Sequence, residues 1–481
     1  MILLWICLAA LAALLCVLVV RALRFHAPRE DDLYTAEIAV DAQAAAQALS
    51  ALVRCKTVSH ADRATDDAEE FEKLEALLPT LYPLVHRTCT RETVPARALM
   101  YRWAGKTAEN PLVLTAHYDV VPADLQGWER DPFSGEIAEG IIHGRGTLDT
   151  KCTLAAIMTA AETLICKGFT PERDVYFCFG GDEEVMGGGA VALAAALEGR
   201  GVRPMMVVDE GGAIVENVFP GVSTPCALIG IGEKGSVNYT ATALSKGGHS
   251  SAPPASTPVD TVAKACLRIQ KHPFPFRVTE PARQMIDHLA RHSTFAYRLI
   301  FANLWAFKPL LDLLCRKSGG ELNALFRTTV AFTVMRAGEA VNVLPSSAAL
   351  TMNARVLPGE TPEGTLAALQ RKVKDARVTV AQVNGFGPSA CSAVDGEGYA
   401  ALCKSIREVY PGVLVSPYLM IAASDARRYE GICEHVYRFS GMPLSLAERR
   451  MIHGVNEQIP VAKQADAARF FMQVMVNSVG R

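Results

Sequence analysis

Residues 111–119 read PLVLTAHYD, an apolar run that ends in a histidine and, two positions later, an aspartate. The run has the length and the continuous hydrophobicity of a strand that is buried on both faces of a sheet. Functional groups in open α/β sheets gather at the carboxyl ends of the strands. Because residues two apart in an extended chain point to the same side, we expect His117 and Asp119 to project together from the end of this strand.

Four further segments bring metal-compatible groups to the ends of apolar runs or to the turns just beyond them: Asp149 in GRGTLDTK, Glu183 and Glu184 in GGDEEVMGGG, Asp209 and Glu210 in MVVDEGG, and His453 in RRMIHGVNEQIP. Taken singly, each acid could be a helix cap and the histidine a structural residue. Taken together, they combine imidazole and carboxylate ligands without a plausible thiolate, which suits zinc, or cobalt or manganese in its place. The set exceeds what one tetrahedral zinc requires, so a two-metal site is the better fit.

Sequence periodicity divides the chain into two interleaved parts. Over 34–226 and again over 389–481, apolar runs of strand length alternate with helical periodicity, which predicts an α/β domain with a central mixed sheet covered by helices. Between them, 227–388 reads as strand, helix, strand, strand, helix, strand, which predicts an inserted α+β domain of ferredoxin-like type. Within it, 273–326 is apolar but too charged to span a membrane. A helical hairpin packed on the inserted domain and a membrane-surface or dimer contact are both open interpretations of this stretch.

The first twenty residues, MILLWICLAALAALLCVLVV, contain no charge and are long enough to span a bilayer as a helix. A cleaved signal peptide is the competing interpretation, but it would need a basic leading segment and a shorter apolar core. We therefore expect a single-pass membrane anchor over 1–22. Arg21 and Arg24 follow the span, and the thirteen cysteines show no paired spacing, so the sequence leans towards a cytoplasmic body.

The charge balance argues against nucleic-acid binding. The 481 residues have a formal net charge of -2 and no long run of like charge. Non-specific binding to nucleic acid needs a concentrated basic surface, which this composition does not supply. We therefore expect no nucleic-acid partner.

Four motifs, HYDVVP, GRGTLDTK, GDEEVMGGGA and IHGVNE, together make the chain similar to the di-zinc exopeptidase and aminoacylase family, which includes carboxypeptidase S, aminoacylase and glutamate carboxypeptidase. The similarity begins at about residue 50, runs to the C-terminus, and is greatest to the carboxypeptidase S and N-acyl-amino-acid hydrolase branch. By this resemblance, 34–226 and 389–481 form a zinc-exopeptidase-like catalytic domain. The insertion, 227–388, then serves as a lid and dimerisation domain, so a homodimer is one expected assembly.

The resemblance also implies roles for individual residues. Two zinc ions would share five ligands, with Asp149 bridging: His117, Asp149, Glu184, Asp209 and His453. In VVDEGG the match selects Asp209 over Glu210. Glu183 would be the general base, and Asp119 would orient His117 through the ring nitrogen that does not face the metal.

Three residues of the insertion complete the expected site. The family resemblance makes His249 in SKGGHSSAPP the group that stabilises the oxyanion, often across a dimer interface. It makes Asn342 and Arg355 the groups that bind the substrate carboxylate, to which a guanidinium fork is geometrically suited. One segment, ASDARRYEG at 423–431, departs from the family pattern, because alanines replace small polar residues there.

The function implied by the resemblance is metal-dependent hydrolysis of an amide bond. The substrates would be N-acyl-amino acids or peptides with a free C-terminal carboxylate, and the apolar insertion and anchor favour a hydrophobic acyl group. Two alternatives stay open: a deacylase of another carboxylate-bearing metabolite on the same platform, and a catalytically silent binding protein.

Overall fold

The computed structural model describes residues 1–27 and 39–480, so the expected domain start at residue 34 and the last residue, 481, lie outside the described ranges. In chain order, the described α-helices are α1 (Ile2–Arg24), α2 (Ala42–Val53), α3 (Ala68–Leu81), α4 (Pro83–Thr88), α5 (Lys151–Cys166), α6 (Gly189–Gly199), α7 (Pro258–Lys271), α8 (Glu280–Leu289), α9 (Phe295–Phe301), α10 (Leu304–Ser318), α11 (Gly320–Phe326), α12 (Pro362–Val373), α13 (Glu397–Val409), α14 (Leu446–Met451) and α15 (Val461–Val479). The described strands are β1 (Thr90–Val94), β2 (Ala98–Trp103), β3 (Thr107–His117), β4 (Ile137–Ala138), β5 (Ile141–His143), β6 (Arg173–Gly180), β7 (Met206–Asp209), β8 (Ile214–Val215), β9 (Cys226–Glu233), β10 (Gly235–Leu244), β11 (Gly248–His249), β12 (Thr329–Arg336), β13 (Val343–Leu344), β14 (Ser347–Val356), β15 (Val378–Phe386), β16 (Leu414–Met420), β17 (Val436–Arg438) and β18 (Gln458–Pro460).

The larger domain, which the resemblance implies is catalytic, is built on a mixed sheet with the strand order β1-β2-β6-β3-β7-β17-β9-β16, with β8 paired to β9. Strand β3 lies between β6 and β7 and is parallel to both. Along β3, Leu112 and Leu114 pack on the side of α5 and α15, whereas Val113 packs on the side of α6. Burial on both faces explains the unbroken apolar run before His117, and it confirms the expected α/β class.

The inserted domain is a four-stranded antiparallel sheet with the order β12-β14-β10-β15, on which α7 and α12 pack. Its sheet strands and packed helices follow the ferredoxin-like chain order expected from the sequence. The expected boundary at 227 lies too early, because β9 pairs with β16 inside the large sheet. Only Lys234 separates β9 from β10, so no turn signal marks the change of domain in the sequence.

Helices α8–α11 occupy most of 273–326, and they do not form a hairpin on the inserted sheet. Leu289 of α8 and Phe301 of α9 share one apolar cluster with Leu228 of β9 and Leu419 of β16. Strand β16 is the last strand of the large sheet, and an uncovered edge of this kind would expose unpaired backbone groups and apolar side chains. The helices therefore pack on the large sheet, which corrects the expectation that this stretch belongs to the inserted domain.

Helix α1 is the one helix among the described residues that is long and apolar enough to cross a membrane. Its side chains are exposed along its length except for Leu18 and Ala22, near its C-terminal end, where it packs beside α9. Length and composition fit both a membrane anchor and a signal sequence near the N-terminus.

Candidate metal centre

Neighbouring strands of the large sheet deliver the candidate ligands to one edge. Strand β3 ends at His117, which is in register with Gly180 at the end of β6, and the turn with Glu183 follows. Strand β7, on the other side of β3, ends at Asp209. Because parallel strands place their carboxyl ends at the same edge, groups that are far apart in the sequence meet here.

Asp149 lies between two imidazoles. Its Oδ1 is 3.0 Å from His117 Nε2, and its Oδ2 is 3.0 Å from His453 Nε2. His453 Nε2 is also 3.0 Å from Glu184 Oε2. The ligand atoms of His117, Asp149 and Glu184 all lie within 4.8 Å of one another, a spacing compatible with one metal ion. The contacts thus connect four of the five expected ligands.

Glu210, and not Asp209, faces this cluster. Glu210 Oε1 lies 3.5 Å from His117 Nε2, and it forms a second compact group with His117 and Glu183. The Asp209 carboxylate is buried beside Ser424, and one of its oxygens has no hydrogen-bond partner. Adjacent residues of an extended chain project to opposite sides, so only one of the two acids can face His117. In this arrangement Glu210 lies beside His117, whereas the expected ligand Asp209 makes no contact with it among the described residues.

Asp119 holds His117 and the glutamate turn together. His117 Nδ1 faces Asp119, 3.0 Å from its carbonyl oxygen and 3.3 Å from Oδ1, so Nε2 is the atom that faces the cluster. The backbone N–H groups of Glu183 and Glu184 donate to the Asp119 carboxylate at 3.1 and 3.2 Å. Ser59 Oγ donates to the same carboxylate at 2.6 Å. One buried aspartate thus fixes the positions of a histidine and two glutamates.

The glycine run after the two glutamates allows the turn to close on Asp182. The Asp182 carboxylate accepts hydrogen bonds from the N–H groups of Gly188 and Gly189, each at 2.9 Å, and from Arg63 at 2.7 Å. A Cβ atom at Gly187 would lie 2.0 Å from the same carboxylate, so a side chain at this position would clash. A Cβ atom at Gly189 would lie 2.6 Å from that carboxylate, so packing requires glycine at positions 187 and 189 of the turn.

A buried glutamate joins the loop of His453 to the loop of Asp149. Glu457 Oε1 accepts hydrogen bonds from the N–H groups of Leu148 at 2.7 Å and Asp149 at 3.2 Å, while Glu457 Oε2 pairs with Arg145 at 2.6 Å. His453 itself has a φ of 58°, in the left-handed region. This conformation costs a non-glycine residue about 1–3 kcal/mol and persists where its surroundings impose it.

The cluster carries more negative charge than its two imidazoles balance. Burial alone would lower the pKa of His117, but Glu210 and the other nearby carboxylates raise that pKa well above its ordinary value. Hydrogen bonds to Asp149 and Glu184 raise the pKa of His453 to about 10. One oxygen of Glu184 is also buried without a hydrogen-bond partner. A buried cluster of imidazoles and carboxylates that carries excess negative charge is a suitable binding site for divalent cations.

The three expected lid residues lie apart from the cluster. His249 is exposed on β11, where it pairs with Val343 of β13, the neighbour of Asn342. Arg355 lies on β14, opposite Ser236 of β10. Within residues 1–27 and 39–480, no hydrogen bond or ion pair joins His249, Asn342 or Arg355 to the metal-ligand cluster. The fold thus brings His249 and Asn342 together but leaves all three outside the cluster.

The sequence motifs do not identify Ser59 and Glu457 as residues of the site, and they favour Asp209 over Glu210. Glu457 lies in the IHGVNE motif, so its acidic side chain close to His453 was a usable signal. Ser59 precedes Asp119 by 60 residues and carries no local signal of its contact. Glu210 and Asp209 are adjacent acids, and they differ only in the direction of their side chains, of which that of Glu210 points towards His117.

The profile of peptidase family M20/M25/M40 matches residues 113–477. The chain is 34% identical over 434 residues to an N-fatty-acyl-amino acid synthase/hydrolase of Danio rerio, covering 89% of this chain and 84% of that protein. It is 33% identical over 441 residues to a probable carboxypeptidase S-like protein of Dictyostelium discoideum, covering 90% and 85%. The fold is similar to the crystal structure of a metallo-carboxypeptidase from Sulfolobus solfataricus, with a TM-score of 0.66, 19% identity and coverage of 90% and 98%. The chain therefore belongs to peptidase family M20/M25/M40 and is a metal-dependent hydrolase of amide bonds.

Proposed function

We propose that the chain is a membrane-anchored di-zinc hydrolase that cleaves the amide bond between an acyl or peptidyl group and an amino acid with a free carboxylate. The observation that carries this proposal is the shared position of Asp149 between His117 and His453, with Glu184 and Glu210 on either side. A structural ion-pair network would not need five ligands to converge from the ends of three parallel strands and from two separate loops.

His117, Asp149 and Glu210 would hold one ion, and Asp149, Glu184 and His453 the other. Zinc is the proposed metal because the ligands are imidazoles and carboxylates, with cobalt or manganese able to occupy the same set. A family member from Bacillus subtilis is described as a dinuclear metal-binding peptidase, which supports two ions per chain. When bound, such ions lower the pKa of water towards 7 and polarise the scissile carbonyl.

Glu183 is the proposed general base. It belongs to the compact group with His117 and Glu210, and burial raises its pKa well above the ordinary value. Glu183 takes a proton from the attacking water and delivers it to the leaving nitrogen as the C–N bond breaks. Its neighbour Glu184 is committed to the metal site by its contact with His453, so it is a poor candidate for proton transfer.

Asp119 acts through His117 and the glutamate turn, so its replacement is expected to weaken the site without removing a ligand. Asp119→Asn keeps the shape of the side chain but loses the charge that orients His117, and we expect roughly a 10–100-fold loss of metal affinity or kcat/KM. Ser59→Ala is the matched control, because it removes one hydrogen bond to the same carboxylate, a change of about 1 kcal/mol. Titration with zinc and steady-state kinetics measure both effects; equal effects of the two variants would contradict the role of Asp119.

The substrate carboxylate is the proposed partner of Arg355 and Asn342, with His249 stabilising the oxyanion of the tetrahedral transition state. Because the three residues lie outside the cluster, this assignment needs closure of the lid over the site or a contribution from a second chain. If a second chain contributes, it would be the other subunit of a homodimer. His249 is exposed on β11, so it would be accessible to that subunit.

The preferred substrate is proposed to be a fatty-acyl amino acid. The relative from Danio rerio is named for this substrate class, and the exposed apolar surface of α1 would keep the enzyme at a membrane where such amphiphiles concentrate. Turnover of a long-chain acyl amino acid, compared with that of a small polar dipeptide, tests the preference. Faster cleavage of the dipeptide would reverse it.

Arg355→Ala is expected to raise KM for an acyl amino acid by roughly ten- to a hundredfold, because a charge-assisted hydrogen bond contributes about 1.5–3 kcal/mol. The carboxamide of the same substrate lacks the charged group and should show no such change. Arg336→Ala, an exposed arginine on the lid strand β12, is the control. If Arg355→Ala impaired the acid and the carboxamide equally, the proposed carboxylate contact would be wrong.

A further inference from the structure

Three hydrogen-bonded asparagines cross the sheet of the inserted domain. Asn238 of β10 is opposite Asn353 of β14 on one side and opposite Asn384 of β15 on the other. Asn353 Nδ2 donates to Asn238 Oδ1 at 2.9 Å, and Asn238 Nδ2 donates to Asn384 Oδ1 at 2.8 Å. The three side chains, called the asparagine row below, therefore form one continuous chain of amides over three strands.

The asparagine row lies on the face of the sheet that α7 and α12 leave open. The residues on either side of it in β10 and β14 point the other way, into the apolar cluster that these helices cover: Val237, Tyr239, Met352 and Ala354. Asparagine is depleted in strands, because its short side chain competes for local backbone hydrogen bonds. Three asparagines in register go against this preference, and such departures are expected where residues serve function.

Arg355, the proposed partner of the substrate carboxylate, is on the same face as the asparagine row. Residues two apart in a strand point to the same side, so Arg355 follows Asn353 on that face. Asn353 Nδ2 also lies 3.3 Å from the hydroxyl of Ser236, the residue opposite Arg355. The two rows are about 7 Å apart, which is the rise of two residues in an antiparallel strand. This separation is comparable to the distance between the carboxylate of a glutamine and its side-chain amide.

This open face adjoins the larger domain close to the metal-ligand cluster. Phe386 of β15 is in the same row as Arg355, and the Arg427 guanidinium lies 3.6 Å from the centre of its ring. Two residues before Arg427, the Asp425 carboxylate lies against Gly180, where a Cβ atom would be 3.2 Å from Oδ2. Gly180 is the end of β6, beside the end of β3 at the cluster. The row of Arg355 is therefore on the side of the inserted domain that faces the ligand-bearing strand ends.

The asparagine row has hydrogen-bonding groups that the protein does not use. In the part of the chain that the structure describes, no protein group donates to Asn353 Oδ1 or accepts from Asn384 Nδ2. Asn353 is half-buried and Asn384 is exposed, so a ligand can reach both side chains. An amide row that can accept and donate without carrying charge is complementary to another carboxamide.

We propose that the asparagine row binds the side chain of the substrate's amino acid and selects an uncharged side chain that forms hydrogen bonds, with glutamine as the best match. The inference rests on the proposed function, because it takes the substrate carboxylate to be held by Arg355. A glutamine anchored there has its carboxamide at the next row, where Asn353 Oδ1 accepts a hydrogen bond from it. An apolar side chain of the same length would cover this oxygen without pairing it.

Two substrates of equal length test this selection on the zinc-loaded full chain: N-lauroyl-glutamine and N-lauroyl-methionine. The wild-type chain should show a kcat/KM roughly tenfold higher for the glutamine substrate, the effect of one or two neutral hydrogen bonds at a half-exposed site. Asn353→Val introduces a residue that strands favour, so the fold should persist while the ratio falls to about one. A wild-type chain without the preference would overturn the proposal.

Thr240→Val is the matched control, because Thr240 lies on the same face of β10, two residues beyond Asn238 and outside the asparagine row. It should keep the wild-type ratio. If Asn353→Val lowered kcat/KM equally for both substrates, the row would be structural and the proposal wrong. Failure of the proposed function has a different signature, since the zinc-loaded wild-type chain would then hydrolyse neither substrate. Failure of this inference alone would leave both substrates hydrolysed with similar kcat/KM.

Discussion

Glu183→Gln is expected to lower kcat by about 10²–10⁴-fold, the usual contribution of a general base, while the metal content stays unchanged. Glutamine has the same shape as glutamate but cannot take a proton from water. The backbone of Glu183 would keep its hydrogen bond to Asp119, so the turn should be preserved. Steady-state kinetics and elemental analysis of the same preparation measure the two parts of this prediction.

Glu184→Gln is the matched control, because the neighbouring residue contacts His453 and contributes a buried, unpartnered oxygen to the metal centre. It should lose metal as well as activity, unlike Glu183→Gln. Full activity of Glu183→Gln would remove Glu183 from the mechanism. Loss of metal from Glu183→Gln would make it a ligand and leave the base unassigned.

Glu210→Ala is expected to lower the metal content from two ions towards one per chain. The accompanying loss of kcat/KM should exceed the roughly 10–100-fold effect typical of residues that only orient a ligand. The physical reason is that Glu210 Oε1 is 3.5 Å from His117 Nε2, on the side of the imidazole that faces the cluster. Elemental analysis, together with isothermal titration of the metal-free chain, gives the number of sites directly.

Asp209→Asn is the control for this prediction, because it changes the adjacent acid without changing its volume. The Asp209 side chain lies beside Ser424 and makes no ion pair with His117 among the described residues, so the variant should retain both ions. The opposite pattern, with metal lost from Asp209→Asn and kept by Glu210→Ala, would restore the assignment based on family resemblance.

The chemistry of the site could be predicted because it is encoded in short segments. An apolar run that ends in His117 indicates a buried strand with a ligand at its end, whatever the rest of the chain does. Glu183 and Glu184 are adjacent acids in a glycine-rich turn, and Asp149 precedes an amphipathic helix. These features depend on local periodicity and residue type, both of which a single sequence displays.

Other features depend on contacts between distant residues. Glu457 accepts a hydrogen bond from the backbone N–H of Asp149, which is 308 residues away in the sequence. No local sequence pattern predicts this hydrogen bond. The composition of the apolar stretch 273–326 is compatible with a helical hairpin packed on the protein and with helices that contact a membrane surface or a second chain. Its packing on β9 and β16 follows from which sheet edge is left uncovered, a property of the assembled sheet.

The sequence by itself determined the family, the strand-end chemistry and the identity of the groups that compete for a metal, because each of these resides in a few consecutive residues. Only the tertiary structure showed that the side chain of Glu210, and not that of Asp209, lies beside His117, and only it placed α8–α11 against the large sheet. Adjacent side chains on an extended chain point in opposite directions, so the choice depends on how β7 is oriented beside β3, and that orientation is fixed by packing across the whole sheet.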